Sequence, residues 1–265
     1  MENMFNPEIT LFHDKQRIEG EGPMLSVVVP VHNEADNIPS LVAETCGALD
    51  GEIDYELIFV DDGSTDDSFE KLKGLSKDFP RLRILRHKHR CGQSAAIWTG
   101  IRAARAEWIA TLDGDGQNDP ADILRLIRSQ GGLQNLDPHL MVCGYRRRRQ
   151  DSWIKRVSSR IANGVRRTLL KDDTPDTGCG LKVFARSTYL SLPFFDHMHR
   201  FLPALVLRGG GRVASVEVHH RPRHKGKTHY GIGNRLWVGI IDLLGVMWLQ
   251  RRMKHPTVME EKIEA

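Results

Sequence analysis

The sequence has little cysteine and no cysteine pattern. Cys46, Cys91, Cys143 and Cys179 are scattered over 265 residues with no C-x-x-C pair. Neither a zinc site nor a disulfide framework is indicated, and a reducing cytosol fits. No basic amino-terminal segment precedes an apolar core, so no signal peptide is expected. The most apolar stretch, Leu236 to Leu249, is interrupted by Asp242 and falls short of the roughly 20 residues that a bilayer span needs. No G-x-G-x-x-G follows the first apolar run, which removes the main support for a dinucleotide-binding fold. The net charge of +4 names no partner by its total, while 40% hydrophobic and 27% charged residues are ordinary globular values. The length allows one large domain, or one domain with appendages.

What is present is a regular alternation of strand-like and helix-like segments. Leu25-Ser-Val-Val-Val-Pro30 reads as a first buried strand, leading through Val31-His-Asn-Glu34 into a helix that presents Ile38, Leu41, Val42, Thr45 and Leu49. Tyr55 to Val60 is a second strand ending in Asp61-Asp-Gly-Ser64. Ser64 or Thr65 is expected to cap the next helix, which presents Phe69, Leu72 and Leu75. Leu82 to Leu85 is a third strand, Gln93 to Ala104 a third helix, and Trp108 to Leu112 a fourth strand. Four alternations argue for an α/β fold with a mostly parallel sheet covered by helices on both faces.

The fourth strand delivers Asp113-Gly-Asp-Gly-Gln-Asn-Asp-Pro120, and the helical spacing of Asp122 to Ile127 follows. Two carboxylates on a glycine-softened turn thus sit at the carboxyl end of a buried strand, where open α/β sheets place ligands. With the amide oxygen of Gln117 two residues on, they form a donor set suited to Mg²⁺ or Mn²⁺. Taken alone, such a turn is more often a polar connection with Asp119 as the helix cap. Acidic residues also finish the second strand, however, and a diphosphate site lined by carboxylates needs a cation between the anions.

Beyond a fifth strand, Leu140 to Gly144, the charge is concentrated. Residues 146 to 171 hold ten Lys/Arg against the single acid Asp151. Within them Ile154, Val157, Ile161, Val165 and Leu169 keep helical spacing, as expected of a solvated surface helix or of one lying on an anionic membrane. One aromatic, Trp153, and no recognisable motif argue against nucleic acid. Cys179, between two glycines, has no base tied to it by spacing and reads as a packed turn cysteine rather than a nucleophile. A strand at Val213 to Val218 enters the basic loop His219 to Gly231, which is suited to closing over phosphates. Leu236 to Leu249, with Trp237 and Trp248 near its ends, is expected to be buried or interfacial.

The ordered set of motifs resembles a known family. Pro30-Val-His-Asn-Glu34, Val60-Asp-Asp-Gly-Ser64, Gly92-Gln-Ser-Ala-Ala96 with Gly100, and Asp113-Gly-Asp-Gly-Gln117 are similar to family 2 glycosyltransferases of the GT-A fold. Gly144-Tyr-Arg146, Asp176-Thr-Gly-Cys-Gly180 and Arg223-His-Lys-Gly-Lys-Thr-His-Tyr230 look like the polyprenyl-phosphate branch typified by dolichol-phosphate mannose synthases. The resemblance covers about residues 24 to 235. It implies a GT-A catalytic domain over 23–231 with a Rossmann-like sheet. Around that domain stand a 1–22 extension, an apolar amphipathic helix at 232–253 and a polar tail at 254–265.

The resemblance further implies a nucleotide-sugar donor (a GDP- or UDP-sugar, with mannose one candidate sugar), a polyprenyl phosphate acceptor and inversion at the sugar. Pro30, His32, Glu34, Val60 and Asp62 would hold base and ribose, and Asp113, Asp115 and Gln117 the cation. Arg146, Lys155, Arg223 and His229 would meet phosphates, with Asp176 near the sugar; Asp115, Asp176 and Arg146 form the catalytic set. Three residues depart from the family pattern: His32 replaces a frequent Tyr, Arg90 an Asn, and His229 a Lys, which exchanges a permanent charge for one that titrates near neutrality. A phosphate acceptor is already largely dianionic at neutral pH, its second pKa being about 6, and needs cations rather than a strong base. The implied location is cytoplasmic, peripheral to the inner membrane face. Two alternatives stay open at this point: a saccharide hydroxyl acceptor with Asp176 as base, and a non-catalytic basic protein binding membrane or nucleic acid.

Overall fold

The computed structural model describes residues 22–146, 164, 169–170, 172–219, 221 and 232–252. Strands β1 (Leu25–Val31), β2 (Tyr55–Asp61), β3 (Leu82–Arg86), β4 (Trp108–Thr111), β5 (Leu140–Tyr145), β6 (Lys182–Ala185) and β7 (Arg212–Glu217) form one sheet. Its order is β3-β2-β1-β4-β6-β5-β7. All neighbours pair in parallel except β6, which runs antiparallel to both β4 and β5. The chain winds outward from β1 to β3 and then returns to β4, so the crevice between β1 and β4 is a switch point that opens at the carboxyl ends of the strands.

Both faces are covered, as the alternation predicts. On one side α1 (Ile38–Leu49), α2 (Ser68–Leu75) and α4 (Asp122–Arg128) pack over Val27, Val29, Val31, Leu57 and Phe59. On the other, α3 (Gln93–Ala103), α5 (Arg186–Leu190) and α6 (Leu202–Arg208) cover Val28, Ile58, Val60, Ile109 and Phe184. β1 and β2 are buried at every position, which is why they read as continuous apolar runs. Gly100 lets α3 settle onto the sheet, since a Cβ there would stand 2.5 Å from Val28 Cγ1. That approach brings the amino end of α3 to the mouth of the crevice. At the opposite end of the strands, buried Glu56 takes hydrogen bonds from Ser26 Oγ (2.6 Å) and the Arg105 N–H, and Arg83 pairs with it. That end of the sheet is thereby closed with its charges paired.

Two local expectations need correction. Neither Ser64 nor Thr65 caps α2, which begins at Ser68. Ser64 Oγ instead accepts the backbone N–H of Asn33 (3.0 Å), while Asp66 Oδ1 accepts that of Ser68 (3.0 Å). The serine is used to join the loops after β1 and β2. Likewise Asp119 is not the N-cap of α4, which starts at Asp122 after Ala121; Asp119 Oδ1 accepts the Ala121 N–H (3.0 Å) in the turn before it.

The carboxyl-terminal apolar stretch is one helix, α7 (Ile232–Arg252). Val246 is buried in the core, whereas Ile241, Leu244 and Trp248 are 66%, 57% and 59% exposed. Asp242 accepts from or pairs with His197 (3.1 Å), and Arg208 Nε donates to the Leu249 carbonyl (2.9 Å). Among the described residues no helix is long and apolar enough to cross a membrane.

Candidate active site

The Asp-Gly-Asp turn stands at the end of β4, in the crevice. Gly114 is required there because a Cβ would come within 2.7 Å of Val31 Cγ1 and 2.8 Å of the Pro30 carbonyl, and Gly116 adopts a left-handed φ of 71°. Asp113 Oδ1 accepts from Gln93 Nε2 (2.9 Å), and Asp115 Oδ1 accepts the Gln117 N–H (3.1 Å). Gly180 leaves room for the first carboxylate: a Cβ on it would lie 2.2 Å from Asp113 Cγ. Burial, then the like charge of Asp115, raises the Asp113 pKa, with Lys182 and Arg146 offsetting part of the rise. Two crowded oxygen-donor acids, an amide side chain and a cradle kept open by glycine fit a hard divalent cation.

The acid that ends β2 is in a different state. Asp62 Oδ1 receives His87 Nδ1 and the Cys91 N–H, each at 2.8 Å, and Oδ2 receives the Gly92 N–H at 2.8 Å. Burial would raise its pKa, yet these donors outweigh it and hold the carboxyl below the ordinary range. His87 Nε2 is bonded in turn to Thr99 Oγ1 (2.9 Å). Asp62, His87 and Cys91 also bring three ligand atoms within 4.8 Å, but both carboxylate oxygens already accept from protein donors. His32 Nδ1 lies 2.8 Å from the Asp62 carbonyl, and Asn33, with φ 56°, accepts the Thr65 N–H (2.8 Å). Glu34 Oε2 accepts from Asn37 (2.6 Å). Pro30 is buried, and the Val60 side chain is fully enclosed against Gly100.

Between the Asp-Gly-Asp turn and the later strands lies a cavity of about 470 Å³. Asp113, Asp115, Gln117 and Arg146 line it, and Thr177 to Gly180 form one wall. None of Pro30, His32, Glu34, Val60 and Asp62 does, so the expected site residues fall into two adjoining groups. Asp176 lies just behind the wall, gripping Arg146 through Nε (2.6 Å) and Nη2 (3.1 Å). Both side chains are mostly buried, so the guanidinium is fixed in place. Cys179 is buried, and burial pushes its thiol pKa up, as befits packing rather than attack. Lys155, Arg223 and His229 lie outside the described residues, as do most of the basic helix and loop. Where that loop begins, Arg221 is docked on the Asp-Gly-Asp turn: its N–H donates to the Gln117 carbonyl (3.1 Å) and Nη2 pairs with Asp119 (2.8 Å).

Sequence reasoning missed four cavity residues: Gln93, Lys182, His199 and Arg200. Gln93 sat inside a family motif without a role, and Lys182 lay in no motif. Lys182 is buried and donates to the Cys179 carbonyl. His199 and Arg200 follow a turn with no sequence signal, set by His197 in the left-handed region with φ 63°.

A model of glycosyl transferase family 2 matches residues 26–191. The chain belongs to that family. Dodecaprenyl-phosphate galacturonate synthase of Rhizobium johnstonii is 35% identical over 240 residues, covering 88% of this chain and 69% of that protein. Undecaprenyl-phosphate 4-deoxy-4-formamido-L-arabinose transferase of Edwardsiella ictaluri is 32% identical, covering 78% of this chain but only 63% of its own length. The chain therefore spans about two thirds of these curated relatives. Among solved structures, glucosyl-3-phosphoglycerate synthase from Mycobacterium tuberculosis with Mn²⁺, UDP and glucosyl-3-phosphoglycerate superposes with a TM-score of 0.63 at 19% identity, covering 86% of this chain and 80% of that one. The shared architecture is the GT-A fold. This family 2 member is a glycosyltransferase, which removes the non-catalytic alternative.

Proposed function

We propose that this enzyme moves a sugar, with inversion, from a nucleotide sugar to a polyprenyl phosphate at a membrane surface. The observation that carries the reading is the juxtaposition, in one cavity, of a crowded carboxylate pair and a fixed guanidinium. The relatives named above act on polyprenyl phosphates, and the superposed synthase was solved with Mn²⁺ and UDP; both support the assignment.

The nucleoside lies over β1 and β2, against His32, Asn33, Glu34 and Asp62, and the diphosphate crosses to Asp113 and Asp115. Mg²⁺ or Mn²⁺, held by these two acids and Gln117, would neutralise charge on the departing diphosphate. The sugar then enters the cavity. Arg146, braced by Asp176, draws in the acceptor phosphate, with Lys155, Arg223 and His229 as further phosphate contacts. An acceptor phosphate oxygen attacks the anomeric carbon as the bond to the diphosphate oxygen breaks. No proton has to be removed.

A saccharide hydroxyl acceptor is disfavoured by one contact. It needs a carboxylate base, and Asp176, the nearest candidate, has both oxygens engaged by Arg146. The exposed Ile241, Leu244 and Trp248 of α7, followed by Arg251 and Arg252, supply an apolar and basic face suited to an anionic membrane. The catalytic domain is proposed to occupy 23–231, with α7 as its interfacial appendage. The test is transfer from labelled GDP- and UDP-sugars, with Mn²⁺, to polyprenyl phosphate or to a saccharide. Label reaching the lipid phosphate is the expected result, and label reaching only the saccharide overturns the reading.

A further inference from the structure

Three consecutive residues at the amino end of α3 reach in three directions. The Gly92 N–H meets Asp62, Gln93 meets Asp113, and Ser94 meets His199. The third contact has no part in the scheme above. Ser94 is fully buried, with Oγ 2.7 Å from His199 Nδ1 and 3.3 Å from the His199 backbone nitrogen. The backbone N–H can only donate, so Oγ accepts there. The hydroxyl hydrogen in turn needs an acceptor, and Nδ1 is at hydrogen-bonding distance. In the tautomer that takes this hydrogen, Nδ1 is unprotonated and the ring hydrogen is on Nε2, at the edge remote from Ser94.

His199 lines the cavity beside Lys182, Arg200 and Asp113. Burial, reinforced by the charges of Arg200 and Lys182, pushes its pKa down to about 3, so the ring is neutral throughout the working range. Its position is set from behind. His197, at the head of the Met198–Arg200 turn, is bonded to Asp242 on α7, and Phe201 and Leu202 after the turn are buried. Besides the amides of Gln93 and Gln117, the cavity thus contains an uncharged ring N–H donor set among the cations Arg146, Lys182 and Arg200. Cations suit the phosphates of donor and acceptor, whereas a neutral donor of fixed tautomer suits a neutral oxygen whose position must be read.

We propose that His199, oriented by Ser94, is a specificity-determining residue that donates from Nε2 to a hydroxyl oxygen of the transferred sugar. The inference rests on the reading that the cavity holds the sugar of a nucleotide sugar. Its test compares a sugar nucleotide with the free nucleoside diphosphate, both with Mn²⁺, by calorimetry on the full chain. UDP-glucose, UDP-galacturonic acid and GDP-mannose are first screened on the unmodified protein. Binding of none of them would sink the functional reading itself, before His199 is in question.

With a binding donor in hand, His199→Leu is expected to weaken the sugar nucleotide by about tenfold while changing the free diphosphate by less than about twofold. His199→Gln keeps an N–H near the Nε2 position and should recover most of the loss. Ser94→Ala frees the tautomer and should give a smaller loss, again confined to the sugar nucleotide. If His199→Leu does not fold, the Ser94→Ala and His199→Gln pair decides by the same ratio. Equal losses for both ligands, or no loss at all, would overturn the proposal.

Discussion

The acids that finish β2 and β4 look alike in the sequence and live in opposite circumstances. Asp62 is surrounded by protein donors and its pKa is lowered despite burial. Asp113 faces Asp115 inside a buried crevice, and its pKa is raised. The Asp62 carboxylate is therefore already satisfied by donors of the chain itself. Around Asp113, burial and then the like charge of Asp115 oppose ionisation, and Lys182 and Arg146 offset only part of this. A divalent cation held between the two acids would relieve that opposition. An acid at a strand end thus names a ligand site only once its hydrogen-bond partners are known.

The contrast can be broken most forcefully at Asp115. Asp115→Ala should lower sugar transfer by about a thousandfold or more with the melting temperature of the free protein little changed. Full activity in that variant would remove the cation from the scheme. Arg146→Ala comes next. It leaves buried Asp176 without its guanidinium and should cost about 3–5 kcal/mol in denaturant unfolding, part of which the Arg146→Ala, Asp176→Ala double variant should restore. Additive losses would show that the pair is not coupled.

The comparison is sharpened by two asparagine substitutions of opposite expected sign. Asp62→Asn should destabilise by about 2 kcal/mol, since donors arranged for a carboxylate lose part of their acceptor. Its folded pKa is depressed, so its contribution is present above the unfolded value and fades as the pH falls through the folded one. Asp113→Asn should stabilise the cation-free protein at neutral pH by about 1 kcal/mol. A raised folded pKa means that ionisation opposes folding as the pH rises. Destabilisation of equal size by both would erase the distinction. The smallest effect is expected at the surface: Leu244→Asp on α7 should leave soluble donor binding unchanged while reducing co-sedimentation with anionic vesicles.

The sheet was legible because β1 and β2 are buried on both faces, and two-sided burial writes itself as unbroken β-branched runs. The helices followed from their apolar stripes, and Asp113, Asp115 and Gln117 from a turn at a strand's carboxyl end. Helix starts were less readable, because Ser64 had a tertiary partner in Asn33 that no local pattern reveals. Lys182 and His199 were hidden for a related reason. The antiparallel β6 sets Lys182 beside Thr111 and Cys143, and a left-handed turn sets His199 beside Ser94, more than a hundred residues away in the chain. Nothing in residue type or spacing foretells such meetings.

The central claim is that Asp113 and Asp115 grip a nucleoside diphosphate through a divalent cation. Thermal unfolding of the full chain with UDP or GDP, with Mn²⁺, and with both together tests it most directly, since a ligand bound to the native state must raise the melting temperature. The account predicts a rise with the pair that far exceeds the sum of the separate effects, and its disappearance in Asp115→Ala. A nucleotide shift that is unchanged by EDTA and retained in Asp115→Ala would contradict it.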